Sequence, residues 1–414
     1  MNAEIVAVGS ELLTPFHQDT NSLFLSERLA SIGISVIYKT IAGDDRRLLT
    51  AAVRTALARA DILILTGGLG PTQDDMTREC VAEALGRQVQ SDPELITELY
   101  KRFAARRMKV PENNARQAEV IEGAEVLRNP RGSAPGQFLE VEVGGQPRYI
   151  LLLPGPPWEM EPLFDAEGLP RLIAHAPRRH IATAMVKLAM VPESAADERA
   201  AKIYKRFPGV QTTILASAGE VRFYLRAQAP TQAEAEDAVD QLSALLEEEF
   251  AGEVFATGDE TLEQIVGYYL QMREATVAVA ESCTGGLLAE RLTRVAGSSR
   301  YFVGGAVAYS NEMKTKFCEV PPMLIAEKGA VSREVAQAMA EGIREHCWAT
   351  YGIGITGIAG PSGGTEEKPV GLVFIALADG TKTGIVERRF PGDRARIRHF
   401  ATQQALEMLR RRLV

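Results

Sequence analysis

Through roughly its first 170 residues the chain alternates short apolar runs with segments whose apolar positions recur every three or four residues. The order is EIVAVGS, TNSLFLSERLASIG, ISVIYKTIAG, DRRLLTAAVRTALARA, DILILTGGLG and TRECVAEALG. A short continuous apolar run predicts a buried strand, and a 3.6-residue period predicts an amphipathic helix. Strand and helix in turn predict a mostly parallel sheet with helices on both faces. Two later runs, GQFLEVEV and PRYILLLPGPP, predict a strand pair closed across Gly144 and Gly145.

The pattern changes twice. Residues 165–182, DAEGLPRLIAHAPRRHIA, carry Pro, Gly and clustered arginines and predict a boundary. From Thr183 to Phe255 the runs TAMVKLAM, ESAADERAAKIYKRF, QTTILAS, EVRFYLRAQ and TQAEAEDAVDQLSALLEEEF predict a small βαββα unit. That order resembles KH-type or ferredoxin-like modules, yet no GxxG clamp for RNA lies between its helix and strand. A spacer or dimerisation role is expected. AGEVFATGDE then leads into a third region, whose runs TVAVA, FVGGAVAYS, ATYGIGIT, GLVFIALAD and TGIVERRF are separated or followed by helical periods. The expected architecture is α/β throughout: an α/β domain with a mostly parallel sheet over 1–170, the small α/β module over 180–255, and a three-layer α/β/α domain over 260–414.

Composition narrows the function. A length of 414 residues exceeds one ordinary core. A formal net charge of −8 makes direct nucleic-acid binding an unfavoured expectation. The start, MNAEIVAVGSELL, has no positive segment ahead of its apolar stretch, and no apolar run approaches the ~20 residues of a membrane helix. A cytoplasmic protein without membrane contact is expected. Cys80, Cys283, Cys318 and Cys347 are scattered without CxxC pairs, which suggests neither a disulfide framework nor a thiolate zinc site.

Chemistry is concentrated at the ends of strands. TGGLGPTQDD, Thr66 to Asp75, follows an apolar run directly, and its glycines Gly67, Gly68 and Gly70 let phosphate oxygens approach backbone N–H groups. Asp74 and Asp75 either cap the next helix or hold a divalent cation against that phosphate. Asp19, Thr20 and Asn21 open the first helix, and Gly43, Asp44 and Asp45 follow the second strand, at the same expected sheet edge. PENN (Pro111 to Asn114), NPRGSAPG (Asn129 to Gly136) and PGPPWEM (Pro154 to Met160) add polar loops. Together these stretches resemble the N-terminal domain of the CinA (competence/damage-inducible) family, related to the molybdopterin-binding MogA/MoaB fold. The resemblance implies hydrolysis of ADP-ribose to AMP and ribose 5-phosphate with a divalent metal (Mg, Mn or Co). Asp74 and Asp75 are then the metal ligands, and Asp19, Asn21, Gly67, Gly68, Gly70, Thr72, Asn114 and Gly155 the substrate contacts. The family's glycine soon after the Glu-Leu-Leu of the first loop is absent, since Thr14, Pro15, Phe16 and His17 follow Glu11, Leu12 and Leu13.

In the third region AESCTGG, Ala280 to Gly286, places three nucleophile candidates at a strand end with no histidine near in sequence. Ser282 or Cys283 could attack an amide, Thr284 could cap the following helix, and Gly285 and Gly286 could donate N–H groups to an oxyanion. YSNEMK offers Tyr309 at a neighbouring edge and Lys314 a helical turn later; a desolvated lysine can act as a base in place of histidine. ITGIAGPSGG is a third strand followed by a glycine loop. With GSS, GAVS, EEKPVG and PGDR, these stretches resemble the nicotinamide-nucleotide amidase domain of the CinA family. The resemblance implies metal-free deamidation of nicotinamide mononucleotide to nicotinate mononucleotide and ammonia, and with it a homodimer. Carried over by position, Ser282 is the nucleophile, Lys314 its base, and Tyr309 and Thr356 polar partners. Glu281, Thr284, Gly285, Gly286, Gly357, Gly360, Gly363, Gly364 and Arg394 are then substrate contacts, and Cys283 a small core residue. The alternative is a chain in which only the amidase works, the first domain being a degenerate binder of nucleotide or molybdopterin.

Overall fold

The computed structural model describes residues 1–105, 111–176 and 180–414, in two compact units, Met1–Ile181 and Ala182–Val414. In the first unit the strands are β1 (Asn2–Val8), β2 (Ser35–Ala42), β3 (Ile62–Thr66), the short pair β4 (Val89–Ser91) and β5 (Glu119–Ile121), β6 (Glu125–Leu127), β7 (Gly136–Val143) and β8 (Gln146–Leu153). The main sheet runs β2-β1-β3-β8-β7-β6. It is parallel from β2 to β8 and antiparallel beyond, where β7 and β8 form the hairpin expected at Gly144 and Gly145. Both glycines sit at left-handed φ, 59° and 76°, as a two-residue hairpin turn requires.

Strand β3, ILILT, is buried at every position because helices cover both faces. On one side α2 (Arg46–Arg59) and α3 (Thr77–Leu85) bring Leu49, Val53, Cys80 and Val81; on the other α1 (Asn21–Ser31) brings Leu25 and Leu29, joined by Met160 and Phe164. A further helix, α4 (Pro93–Ala105), presents Leu95 and Leu99 inward. The stretch expected to be a boundary is largely helical. After α5 (Pro157–Leu163) the chain makes a wide helical turn over Phe164–Gly168 and enters α6 (Leu169–His175), where Pro170 occupies the first turn. Proline is tolerated there because its missing N–H would have had no partner. Leu172 of α6 is core, and Arg171 is paired with Glu125 and Glu167, so this segment belongs to the first unit. Pro177, Arg178 and Arg179 lie outside the described residues.

The second unit holds two sheets. The first is built from β9 (His180–Ala189), α7 (Glu193–Tyr204), β10 (Val210–Ser217), β11 (Glu220–Ala229) and α8 (Gln232–Glu249), plus one strand not expected from sequence, β12 (Val254–Ala256). The order is β10-β11-β9-β12, and β12 pairs antiparallel with β9. The stretch read as a lead-in to the next domain therefore closes the preceding sheet. The second sheet, β14-β13-β15-β16-β17, contains β13 (Val277–Glu281), β14 (Phe302–Val307), β15 (Tyr351–Gly357), β16 (Leu372–Ala378) and β17 (Thr383–Arg389). β14, β13 and β15 are mutually parallel; the other two pairs are antiparallel.

Helices α9 (Leu262–Met272), α10 (Leu287–Thr293) and α14 (Arg394–Leu413) supply the core of one face. Helices α11 (Asn311–Cys318), α12 (Pro322–Lys328) and α13 (Arg333–His346) supply the other. The glycines of GIGIT are dictated by this packing. A Cβ at Gly352 would stand 2.1 Å from the Ala340 carbonyl oxygen and one at Gly354 2.4 Å from that of Ala336, so α13 lies with its backbone against β15. Among the described residues no helix is long and apolar enough to cross a membrane.

Candidate functional site

Parallel strands deliver their following loops to one edge. Glu281 stands beside Val307 on one side and Ile355 on the other, so AESCTGG, YSNEMK and TGIAGP emerge together. Ser282 continues the ladder by donating its N–H to the Ile355 carbonyl at 3.0 Å, and its side chain retains 8% exposure. The turn behind it is fixed by Glu281. Its buried carboxylate accepts from the N–H groups of Gly286 (3.1 Å), Leu288 (3.0 Å) and Ala289 (2.8 Å), capping α10. Glu281 is thus a cap, not a substrate contact as expected. Replacing it with alanine leaves three donors at a buried helix start and is expected to lower stability by about 1–3 kcal/mol, read by denaturant unfolding; an unchanged midpoint would show the cap to be idle.

The glycine donors are also committed. Gly286 N–H goes to Glu281, and Gly285 N–H to the Ser282 carbonyl at 3.1 Å, so neither is an oxyanion donor in this arrangement. Their left-handed φ values, 60° and 91°, shape the turn instead. Among the described residues the N–H groups of Cys283 and Thr284 take no acceptor, and these directly follow the serine. Thr284 is not the helix cap: its hydroxyl is buried without a partner and the cap position is Gly286. Its carbonyl accepts two bonds from Arg398, at 2.9 Å from Nε and 2.6 Å from Nη2.

Lys314 is the unusual group of this edge. It is 2% exposed, and its Nζ donates to the carbonyls of Ala308 (3.1 Å) and Tyr309 (3.2 Å). Among the described residues it has no carboxylate salt-bridge partner, although Glu312 is near enough to pull its pKa upward slightly. Burial is the larger effect and lowers the pKa from the ordinary 10.5. Cys283 feels the charges of both Lys314 and Arg394, which places all three around one turn. Burial nevertheless pushes its thiol up to about 12, consistent with a core residue.

Tyr309 is 59% exposed, and its hydroxyl oxygen accepts from Arg394 Nη2 at 2.9 Å. Arg394 Nη1 donates to the Gly360 carbonyl at 2.8 Å, tying the start of α14 to both loops. Thr356 is buried and its hydroxyl donates to the Ala330 carbonyl at 2.7 Å, holding the lead-in to α13. Local backbone accounts for the remaining glycines: Gly360 and Gly363 have φ of 74° and 89°. A Cβ at Gly357 would stand 2.7 Å from Leu372 O, and one at Gly364 2.8 Å from Val370 N.

The first unit has a separate cleft of about 690 Å³. Asp19, Asn21, Gly67, Gly68, Gly70, Asp74, Asp75 and Gly155 all line it; Thr72 and Asn114 do not. Asn114 instead donates to Gln117 (2.9 Å), which does line it, and Thr72 donates to the Asp75 carboxylate from its N–H (2.9 Å) and its hydroxyl. Asp19 accepts from Ser22 N–H at 2.9 Å and tethers the start of α1. Asn21 donates to the Gly155 carbonyl at 2.7 Å, while its amide oxygen is buried without a partner among the described residues.

The glycine turn is held from behind. The carbonyls of Gly67 and Gly68 accept from Thr77, through its hydroxyl (2.8 Å) and its N–H (3.2 Å), and the Leu69 carbonyl accepts from Arg78 Nη2 at 2.6 Å. In a trans peptide the N–H points opposite to the carbonyl. The N–H groups of Gly68, Leu69 and Gly70 are thus turned away from α3, and among the described residues they take no acceptor. Three consecutive free donors are an arrangement that can receive an anion.

No group of three or more His, Cys, Asp or Glu side chains that could hold a metal occurs among the described residues. Asp75 is bound into the turn by Thr72; Asp74 is the more exposed carboxylate, held below its ordinary pKa by Thr72 and its own backbone N–H. A magnesium-like ion takes one or two carboxylates and completes its shell with substrate phosphates and water, and Asp74 beside the anion site fits that mode. Arg78, Arg398 and Gln117 were not singled out from sequence; a lone arginine or glutamine in a helical pattern reads as a solvated face. The one sequence signal available for Arg398 is its place one helical turn after Arg394.

Residues 4–174 match the family model described as "Probable molybdopterin binding domain", and residues 259–413 match the CinA C-terminal domain. A CinA-like protein of Koribacter versatilis is 58% identical over 414 residues, covering 100% of both chains. A CinA-like protein of Solibacter usitatus is 46% identical over 413 residues, covering 100% of this chain and 98% of its own. Among solved structures, the competence/damage inducible protein CihA from Agrobacterium tumefaciens is 39% identical. The match covers 36% of this chain and 91% of that one, with a TM-score of 0.35.

Proposed function

The chain belongs to the CinA-like family, and from that premise we propose that its second unit is an amidase acting on nicotinamide mononucleotide. The observation that carries this reading is Lys314, a buried lysine without a carboxylate partner among the described residues, beside the strand edge that holds Ser282. A neutral amine donating two N–H groups to the Ala308 and Tyr309 carbonyls keeps its lone pair for a proton. Ser282 Oγ attacks the carboxamide carbon as Lys314 takes its proton. The tetrahedral oxyanion is received by the N–H groups of Cys283 and Thr284. Collapse breaks the C–N bond, and Lys314 returns the proton to the departing nitrogen, giving ammonia and an acyl-serine. Water, deprotonated by Lys314, then releases nicotinate mononucleotide and restores the serine. Arg394, fixed by Tyr309 and Gly360, places a guanidinium for the substrate phosphate. Equal molar yields of ammonia and nicotinate mononucleotide from the full-length chain are expected; no ammonia would overturn the assignment.

For the first unit the proposed reaction is hydrolysis of ADP-ribose to AMP and ribose 5-phosphate. The three outward N–H groups at 68–70 support it, because they suit a pyrophosphate. A divalent cation, held by Asp74 against the phosphates, would offset charge developing on the leaving oxygen. Chelator is expected to abolish AMP formation, and Asp74→Asn to lower it by about 10²-fold or more, while ammonia release is untouched. Full AMP production in excess chelator would remove the metal from the reading. A pterin phosphate could occupy the same anion site; tight molybdopterin binding by the chain without AMP production would favour that alternative.

A further inference from the structure

Arg78 is fully buried, at 0% exposure, in the first turn of α3. One of its nitrogens, Nη2, donates to the Leu69 carbonyl at 2.6 Å, while Nε and Nη1 are buried and have no hydrogen-bond partner among the described residues. Among the described residues no carboxylate forms a salt bridge with it. Glu79 is instead paired with Arg116 at 2.6 Å, and Asp75 is engaged by Thr72. Burial lowers its pKa, and Glu79, Glu119 and Asp75 act against that from further away. A guanidinium remains protonated even so. An uncompensated charge in this position is strongly unfavourable to the fold alone. A neutral donor would hold the same carbonyl without that penalty.

The location of the charge gives it a use. It sits on the carbonyl side of the peptide whose other end is Gly70 N–H, directly behind the anion site. We propose that Arg78 is a positioning residue for this site: it fixes the Leu69–Gly70 peptide so that Gly70 N–H faces the cleft, and its buried charge raises the affinity of the turn for a pyrophosphate group. This rests on the phosphate-binding reading of the cleft. A charge behind a peptide adds to the field at the N–H side, and in a low-dielectric wall that field is weakly screened by salt. Arg78 touches no substrate atom in this scheme, and Gly68, Leu69 and Gly70 make the contacts.

The test uses the full-length chain with inorganic pyrophosphate as the probe, followed by calorimetry, with thermal unfolding and ammonia release from the other unit measured on the same samples. At about pH 6, where a buried amine at this position is best kept charged, wild type is expected to bind pyrophosphate, R78Q to bind it at least tenfold more weakly, and R78K to recover to within about threefold. A merely structural residue would give a different pattern: R78K, which changes shape as R78Q does, would lose as much affinity. That outcome, or wild-type affinity in R78Q, overturns the proposal. If R78Q fails to fold, the comparison of R78K with wild type at low and at high salt decides it. Affinity kept within threefold at both is expected, and a tenfold loss overturns the charge role. Wild type that binds neither pyrophosphate nor ADP-ribose would instead overturn the reading of the cleft itself.

Discussion

Ser282→Ala is expected to lower ammonia release from nicotinamide mononucleotide by at least ~10⁴-fold, because the serine oxygen is the proposed acyl carrier. The adjacent thiol is the natural rival, since cysteine is the better nucleophile at equal ionisation. Its environment argues against it. With a pKa near 12, Cys283 is ionised to only about one part in 10⁵ at neutral pH. Its side chain belongs to the same apolar core cluster as Leu288, Ile355 and Val373. Cys283→Ala should therefore retain activity to within about threefold, its main effect being a small cavity. The pair of assays is decisive in combination: turnover surviving in the serine variant, or lost in a cysteine variant with native unfolding, would reverse the assignment.

The second large effect concerns Lys314. Lys314→Arg keeps a cation but cannot accept a proton at accessible pH, and is expected to reduce turnover by about 10³-fold or more. In wild type the rate should climb with pH as the amine loses its proton, with a midpoint below the ordinary 10.5 because burial lowers this pKa. The same shift has a sign for stability. The folded chain binds fewer protons at this group than the unfolded chain between the lowered value and 10.5, so stability rises with pH across that window. As pH falls toward the lowered value, that contribution is lost. Lys314→Met should remove this dependence, so that the difference between wild-type and variant unfolding free energies changes across that window and levels off above it. A wild-type rate that shows no fall as pH drops through the lowered value would show that Lys314 is not the base.

Much of the scaffold was readable because strand and helix periods alternate and because glycine turns follow apolar runs directly. Ser282, Lys314 and Arg394 could be selected from strand-end placement and family resemblance together. What escaped did so for local physical reasons. Glu281 reads as one more polar residue at a candidate site, and only its bonds to the start of α10 show that it is a cap. Pro170 reads as a breaker, although at the first turn of a helix it is a starter. Strand β12 has three residues, too few to show a period, and exists because β9 offers it an edge. Arg78 and Arg398 each sit in an ordinary helical pattern, and their carbonyl partners, nine and 114 positions away, carry no mark in sequence.

The backbone contact between α13 and β15 also limits how this protein can be altered. Exchanging glycine for alanine ordinarily stabilises a protein where the conformation permits, by narrowing the unfolded ensemble. At Gly352 and Gly354 the added methyl would press on the carbonyls of Ala340 and Ala336 and force the helix outward. Ala330 lies in the segment leading into that helix and accepts the Thr356 hydroxyl bond. The displacement would therefore be transmitted to the sheet edge that holds Ser282 and Thr356. Selection for heat resistance has to leave this strand at its smallest side chains and find its gains elsewhere, making two glycines with no chemistry of their own as restrictive to substitution as the proposed nucleophile.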